Sequence, residues 1–287
     1  MLVIYHANCM DGFTAAWVAK KVYPNAEFFP GYYGQSPPNM AGKDVLMVDF
    51  SYKRQVLLEH AVSAKRITIL DHHESAQNDL KDLVALDGNI EVMFDLSKSG
   101  ARITWEWFFP HDKTPWIVDY TEDRDLWKWE LPYSREVNAY ISLHKMEFMR
   151  WDIFEATPDP RVDPEIVKSG GAVLMYQSQI VDSHIRNARD GEVLGYKVKS
   201  VNATSLFSEV AGELARDMPF GVAWFKRKDG KYQFSLRSRG DSADGVIPVK
   251  VNEIAKQFGG GGHPQAAGFE VTELEMRALY KEGKLKI

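Results

Sequence analysis

The stretch RITILDHHES, residues 66–75, decides the fold class of this chain. Its first five residues, RITIL, are rich in Ile and Leu and have the length of a buried β-strand, and a polar Asp-His-His triplet follows at once. Two earlier runs, LVIY (2–5) and DVLMVDF (44–50), have the same character, and helical spacing of apolar residues follows each of them. Alternation of strand and helix predicts a parallel sheet flanked by helices, so we expect an α/β fold.

The rest of the chain predicts a second, smaller α/β domain. The segment TPDPRVDP (157–164) places three prolines in eight residues, which interrupts regular structure and marks a linker. Beyond it the pattern predicts, in order, a long helix from Glu165 to Arg189, a strand pair around 193–201, a helix near 205–216, a hairpin of GVAWFKR and YQFSLRS, a last helix ending at Phe258, and a tetraglycine loop at 259–262. We therefore predict a first domain at 1–156, a linker and connecting helix at 157–190, and a second domain at 191–287.

Composition limits the classes of protein that this chain can belong to. With 45% hydrophobic and 26% charged residues among 287, the chain has ample material for a buried core, which excludes disordered and fibrous classes. A net charge of −5 disfavours a protein that coats long duplex nucleic acid through its phosphates. The single cysteine cannot form an intrachain disulfide, and no apolar run approaches the ~18–20 residues that span a bilayer. We expect a cytoplasmic protein without a membrane partner.

Metal-ligating residue types follow three of the predicted strands. His6 and Asp11 follow the first strand, Asp49 ends the second, and the triplet 71–73 follows the third. Because open α/β sheets bind ligands at the carboxyl ends of their strands, we expect these side chains to share one site. Mixed Asp and His ligands suit Mn²⁺, Fe²⁺, Co²⁺ or Zn²⁺, and two such ions about 3.5–4 Å apart can share a bridging carboxylate. The pattern predicts two-metal hydrolysis.

A further acidic group lies in VDYTEDRDLW, residues 118–127. Asp119, Glu122, Asp123 and Asp125 are available there, and Asp119 and Asp123 could share one face of a helix because they are four residues apart. A solvated helix end explains this group equally well.

These motifs resemble those of the DHH phosphoesterase superfamily. The Asp-His-His triplet after a strand, with a His/Asp motif after the first strand and a lone Asp after another, carries the resemblance in the first domain. The stretch GGGGHPQAAGF (259–269), with FSLRS (234–238) upstream, resembles the DHHA1 domain of many members. The resemblance implies a parallel-sheet DHH domain followed by a smaller α/β DHHA1 domain. It is strongest to nano-RNases and linear-dinucleotide hydrolases, with RecJ-like exonucleases more distant.

The resemblance also implies roles for individual residues in the first domain. Asp11 would hold the second metal ion, Asp49 would bridge both ions, and His72 would be a further ligand. His73 would face the substrate phosphate, and Asp71 would orient the triplet through hydrogen bonds. For the fourth motif we choose Asp123 over Asp119 and Asp125, because EDRDLW lies where relatives place an Asp at a helix end.

The first metal position departs from the family pattern. Relatives have an Asp where this chain has Cys9, and His6 lies one residue closer than usual, so His6 and Asp49 are the remaining ligands. If the Cys9 thiolate binds the ion, it shifts the preference from Mn²⁺ toward Zn²⁺ or Fe²⁺; a role as a small buried hydrophobe is the alternative. The expected cofactors are two divalent ions, Mn²⁺ by resemblance, with Fe²⁺, Co²⁺ or Zn²⁺ left open by Cys9.

Substrate binding is expected in the second domain. Four consecutive glycines allow a ligand to approach the backbone closely, and we expect the N–H groups of Gly261 and Gly262, the side chain of His263 and the guanidinium of Arg237 to bind phosphate or base. The predicted activity is hydrolysis of dinucleotides or very short linear nucleotides to mononucleotides. A cyclic-dinucleotide or 3′-phosphonucleotide hydrolase, and a nucleotide-binding regulatory module with a decayed first metal site, remain alternatives. A homodimer is left open.

Overall fold

The computed structural model describes residues 1–83, 88–161, 163–239 and 249–287. The chain divides into two compact units, Met1–Leu174 and Met175–Ile287. The division falls within the segment 157–190 that the prolines and helical spacing mark as a linker and connecting helix. Val162 of that segment lies outside the described residues.

The first unit is built on a five-stranded parallel sheet. Its strands are β1 (Leu2–His6), β2 (Glu27–Gly31), β3 (Asp44–Val48), β4 (Arg66–Asp71) and β5 (Ile90–Phe94), in the order β2-β1-β3-β4-β5. The three strands expected from sequence are adjacent and parallel, which confirms the predicted α/β fold class. The pattern missed β2 and β5, the two edge strands. Pro30 in β2 argues against a strand, but an edge strand tolerates proline because one side of its backbone needs no partner.

Helices cover the sheet of the first unit. The helices of this unit are α1 (Met10–Val22), α2 (Arg54–Ala61), α3 (Glu74–Leu80), α4 (Gly100–Phe108), α5 (Trp116–Asp125), α6 (Ser134–Ser142) and α7 (Phe148–Ala156), and the division between the two units falls within α8 (Pro164–Ile185). Strand side chains alternate between two apolar cores, so that Val3 lies in one core and Leu2 and Ile4 lie in the other. Burial of both faces is what a parallel sheet requires. It fixes the register, and with it the positions of the strand ends.

The second unit contains a mixed sheet. Its strands are β6 (Arg189–Val193), β7 (Tyr196–Asn202), β8 (Gly221–Lys226), β9 (Tyr232–Arg237), β10 (Gly261–His263), β11 (Ala266–Val271) and β12 (Leu285–Lys286), in the order β10-β11-β9-β8-β7-β6-β12. The helices are α9 (Phe207–Leu214), α10 (Val251–Lys256) and α11 (Glu273–Lys281). The predicted strand pair, helix and hairpin are all present.

Three expectations for the second half are corrected. The long helix α8 ends at Ile185 rather than Arg189. The tetraglycine segment is not entirely a loop, because Gly261 and Gly262 belong to strand β10 and pair with β11. The helix before it is not the last: α11 follows, and it begins with a capping box in which Thr272 and Glu275 satisfy each other's backbone N–H groups.

Over the described ranges, every helix is too short or too polar to cross a lipid bilayer.

Candidate metal centre

The carboxyl ends of the three central strands meet at one edge of the first unit's sheet. His6 ends β1, Asp71 ends β4, and Asp49 follows β3 between them. Asp49 is almost completely buried and has a left-handed backbone, with φ of +53°. Its N–H donates a hydrogen bond of 2.9 Å to the carbonyl of Leu70 on the neighbouring strand. Strained backbone of this kind, which costs about 1–3 kcal/mol, persists where the surroundings hold it, and it is concentrated at functional sites.

Asp49 belongs to three sets of potential metal ligands, one of them with Asp71 and His73. His6, Cys9 and Asp49 each offer a donor atom within 4.8 Å of the others, and so do Asp11, Asp49 and His72. The two oxygens of Asp49 face different sets: Oδ2 lies 3.5 Å from Nδ1 of His6, and Oδ1 lies 3.0 Å from Nε2 of His72. The arrangement is the one that a carboxylate bridging two ions requires.

Asp11 reaches the site through a contact that the sequence does not predict. Its carboxylate accepts hydrogen bonds from the backbone N–H of Gly100 at 2.6 Å and of Ala101 at 3.0 Å. These two N–H groups belong to the first turn of α4, where the helix dipole favours a negative charge. Ser99 begins the helix, since its hydroxyl accepts a hydrogen bond from the N–H of Arg102.

Gly100 permits this close approach of α4. A Cβ atom at position 100 would lie 2.4 Å from Cβ and 2.8 Å from Cα of Asp49, and 3.0 Å from Oδ2 of Asp11. These atoms cannot move away easily, because Cα of Asp49 is part of the backbone and the Asp11 carboxylate is held by two hydrogen bonds. Only glycine fits beside the shared carboxylate.

We expect Gly100→Ala to reduce the affinity of the centre for divalent ions by about 10–100-fold, the range seen when residues that support metal ligands are changed. Overpacking should also cost about 1–3 kcal/mol of folding stability. Gly171→Ala in α8 is the matched control, because a Cβ there has no atom within 4 Å. It should raise stability slightly and leave metal affinity unchanged. Metal titration and thermal unfolding of both variants check this expectation, and equal metal affinity in the two would contradict it.

In the acidic group at the end of α5, Asp125 rather than the expected Asp123 lies beside His72. Oδ2 of Asp125 lies 3.5 Å from Nε2 of His72, so Asp125 is the carboxylate that reaches the cluster. Asp123 instead accepts a hydrogen bond from the N–H of Glu130 at 2.9 Å, in the turn after the helix. Asp119 accepts a hydrogen bond of 2.6 Å from Arg102. Spacing along a helix gives relative directions only, and the position at which α5 ends decides which carboxylate faces the strands.

The electrostatics of the cluster indicate a need for positive charge. Burial raises the pKa of Asp11 well above its usual range, and the charges of Asp49 and Asp125 raise it further. Burial acts to raise the pKa of Asp49, but the hydrogen bonds to His6 and His72 hold this pKa well below its usual value. Burial also acts against the charged form of His72, yet the hydrogen bond to Asp49 and the neighbouring carboxylates raise the pKa of His72 well above 6.5. Carboxylates crowded in this way fit a divalent cation.

Several potential metal-ligand atoms of the cluster have no hydrogen-bond partner among the described residues. They include Nδ1 of His6, Oδ2 of Asp49 and Oδ2 of Asp125, and Oδ2 of Asp71 and Oδ2 of Asp123 are also buried without such a partner. Buried polar atoms are nearly always satisfied, so unsatisfied oxygen and nitrogen atoms in one cluster suit a bound ion. Carboxylate oxygen, imidazole nitrogen and thiolate sulfur are the ligand types that first-row transition metals take.

The triplet at residues 71–73 is organised by Asp71. Its Oδ1 accepts hydrogen bonds from the N–H of His72 at 2.8 Å and of His73 at 3.3 Å, and it lies 2.7 Å from Nδ1 of His73. These are the contacts that the expected orienting role requires. Burial acts to lower the pKa of His73, but the charge of Asp71 prevails and raises it. The His73 ring is thus oriented by Asp71 at the edge of the cluster.

An aromatic side chain that sequence reasoning missed borders the centre. Tyr33 is 53% exposed, and its ring centroid lies 5.2 Å from that of His6 and 6.3 Å from that of His73. The ring of Phe50 packs against that of Tyr33, with 4.9 Å between the two ring centroids. Tyr33 lies just beyond the edge strand β2, which the pattern did not reveal, so no signal pointed to it.

The candidate substrate residues of the second unit lie close together within that unit. Arg237 on β9 and His263 on β10 are both in register with Ala266 on β11, so their side chains leave the sheet on the same face. The Arg237 guanidinium donates to the Ser208 hydroxyl at 2.7 Å and to the Leu236 carbonyl at 2.9 Å, which fixes its direction.

The glycines have a structural reason beside the expected one. A Cβ at Gly260 would lie 2.1 Å from the carbonyl oxygen of Gly268, and one at Gly262 would lie 2.5 Å from that of Ala266. Close packing against β11 therefore explains two of the four glycines without a ligand. Gly259, with φ of +77°, allows the chain to turn after α10.

Comparisons with known proteins agree with this architecture. Residues 190–284 match the model of the DHHA1 domain. An uncharacterised protein of Acanthamoeba polyphaga mimivirus is 30% identical over 306 residues, covering 96% of this chain and 68% of the relative. Among crystal structures, RecJ from Thermus thermophilus in complex with Mn²⁺ is 13% identical with a TM-score of 0.53, covering 99% of this chain and 51% of RecJ. A pGpG-specific phosphodiesterase from Vibrio is 14% identical with a TM-score of 0.47, covering 98% of this chain and 96% of that protein. The RecJ likeness supports the fold alone.

Proposed function

Since this chain belongs to the DHH–DHHA1 phosphoesterase superfamily, we propose that it is a metal-dependent phosphodiesterase that hydrolyses short linear nucleotides to mononucleotides. The observation that carries the proposal is Asp49, whose two carboxylate oxygens face two different ligand sets. His6, Cys9 and Asp49 would hold one ion. Asp11, Asp49, His72 and Asp125 would hold the other, and the oxygen-rich character of this second set suits Mn²⁺.

The residues of the first unit divide the chemical work. When bound, two divalent ions supply Lewis acidity and a water of lowered pKa. Asp11 and Asp49 provide the negative charge that retains such ions. Asp71 accepts from Nδ1 of His73, which directs the other ring nitrogen away from Asp71, and the Asp71 carboxylate stabilises the protonated ring that can donate to a phosphoryl oxygen.

Two features support a nucleotide and a short one. The exposed Tyr33 ring beside the centre offers a surface on which a base can stack, a contact worth about 1–3 kcal/mol per base. A protein of net charge −5 gains little from the counterions that a long strand would release. Arg237, Gly261, Gly262 and His263 are proposed as substrate-binding residues of the second unit.

A substrate panel tests this function. We would measure kcat/KM with Mn²⁺ for linear oligonucleotides of two to about ten units, cyclic dinucleotides and 3′-phosphonucleotides, each repeated after chelation. We expect the highest value for linear dinucleotides and no turnover after chelation. A rate that climbs steadily with length would contradict the short-substrate proposal. Preference for the cyclic or monomeric phosphates would favour a hydrolase of those substrates, and binding without turnover would favour a regulatory module.

The proposed phosphate contacts in the second unit give a second expectation. Arg237→Ala and His263→Ala should each lower kcat/KM by about 1.5–3 kcal/mol of transition-state stabilisation, the value of a charge-assisted hydrogen bond, without reducing metal content. Arg227→Ala is the control, because Arg227 pairs with Asp229 and Glu270 at the β8–β9 hairpin. If the control loses as much activity as the two variants, general loss of positive charge rather than substrate contact is responsible.

A further inference from the structure

The two ligand sets that share Asp49 differ in chemistry. The set of Asp11, Asp49 and His72, with Asp125 beside it, offers only oxygen and nitrogen. The set of His6, Cys9 and Asp49 offers one nitrogen, one sulfur and one oxygen. Soft thiolate favours borderline and soft cations, whereas carboxylate favours hard ones. The two positions therefore prefer different ions.

We propose that His6, Cys9 and Asp49 form a thiolate site for a borderline divalent cation of the Zn²⁺ and Co²⁺ class, so that the centre holds two chemically different ions. This inference rests on the proposed function only in requiring that the cluster binds metal. It assigns Cys9 as a ligand and sets the first position apart from the second.

The surroundings of Cys9 fit ligation better than packing. Cys9 is partly exposed and lies among an imidazole and a carboxylate, outside the apolar clusters of the first unit's described residues. It precedes α1 at the N-cap position with φ of −117° and ψ of 133°, yet its side chain makes no capping hydrogen bond.

The other two potential ligand atoms of this set, on Asp49 and His6, also lack hydrogen-bond partners among the described residues. Oδ2 of Asp49, a residue 1% exposed, and Nδ1 of His6 face each other at 3.5 Å, and neither has a hydrogen-bond partner within the described part of the chain. Gly12 helps to assemble the set, since a Cβ there would lie 2.4 Å from the carbonyl oxygen of His6. The close contact of α1 with the end of β1 keeps His6 near Cys9, which precedes α1.

A spectroscopic titration tests the assignment without substrate. Cys9 is the sole cysteine of the chain, so a thiolate-to-cobalt charge-transfer band in the near ultraviolet can arise from no other cysteine. We would titrate metal-free protein with Co²⁺ alone, count the bound ions, and compare wild type with Cys9→Ser and Cys9→Asp. Circular dichroism and thermal unfolding establish that the variants are folded.

We expect the wild type to bind two Co²⁺ ions and to develop the band, and Cys9→Ser to lack the band. Saturating Co²⁺ should also protect the wild-type thiol from alkylation. Cys9→Asp should lower the preference of the first position for Zn²⁺ over Mn²⁺ by roughly 10–100-fold, the size of effect that changes around metal ligands produce.

Each contrary result has a distinct meaning. Two bound Co²⁺ ions without the band, or an alkylation rate unchanged by Co²⁺, would overturn the thiolate site and leave the proposed hydrolase intact. Failure of the folded wild type to bind Co²⁺ at all would overturn both the thiolate site and the metal-dependent function.

Discussion

Replacing Asp49 with Asn should remove at least one of the two ions and lower hydrolysis at least about a hundredfold, because one carboxylate serves both ligand sets. An amide has one oxygen and no charge, so it cannot bridge two cations. Asn is preferred to Ala in this test because Asn tolerates the left-handed backbone, φ +53°, better than most residues. Metal content and the rate on a linear dinucleotide should fall together.

The control for this substitution lies at the other end of the same strand. Asp44 begins β3 and pairs with Lys65 at 3.0 Å on the surface. Asp44→Asn should leave metal content and rate unchanged, since an exposed pair of this kind contributes about 0–1 kcal/mol. If Asp49→Asn retained two ions and near wild-type turnover, the shared-carboxylate assignment would be wrong.

Among the carboxylates around the end of α5, Asp125→Ala should have the largest effect on metal binding and turnover. Asp125 is the one within 3.5 Å of His72, and its loss should reduce affinity at the second position about 10–100-fold or more. Asp123→Ala should instead cost about 1–3 kcal/mol of stability, because the N–H of Glu130 would lose its partner. Asp119→Ala should affect metal binding less, because its main consequence is the loss of the hydrogen bond from Arg102.

Metal titration and thermal unfolding of the three alanine variants separate these roles. Loss of metal in Asp123→Ala with retention in Asp125→Ala would support Asp123, the residue chosen from the family resemblance. Loss in neither would remove the end of α5 from the centre altogether.

The sequence was sufficient for the core of the candidate centre because three strong strand signals lead directly into the candidate metal ligands. Parallel strands align their carboxyl ends, so His6, Asp49 and the triplet had to meet once the strands were adjacent. The positions of these residues depend on strand register, and register follows from apolar alternation that is visible in sequence.

The remaining features depend on long-range packing. The contact of Asp11 with the first turn of α4 joins residues about ninety positions apart, and Gly100 gave no sign of its neighbour. The direction of Asp125 depends on where α5 ends. Tyr33 follows the edge strand β2, which was not predicted because it contains Pro30. The glycines of β10 pair with β11, a strand that the pattern also did not predict.

The most direct test of the account is stoichiometric. Metal-free protein would be titrated with Mn²⁺ while hydrolysis of a linear dinucleotide is measured. We predict no turnover without metal and a rate that saturates only when two ions are bound per chain. Turnover in the absence of metal, or full activity with a single bound ion, would contradict a two-ion centre built on Asp49.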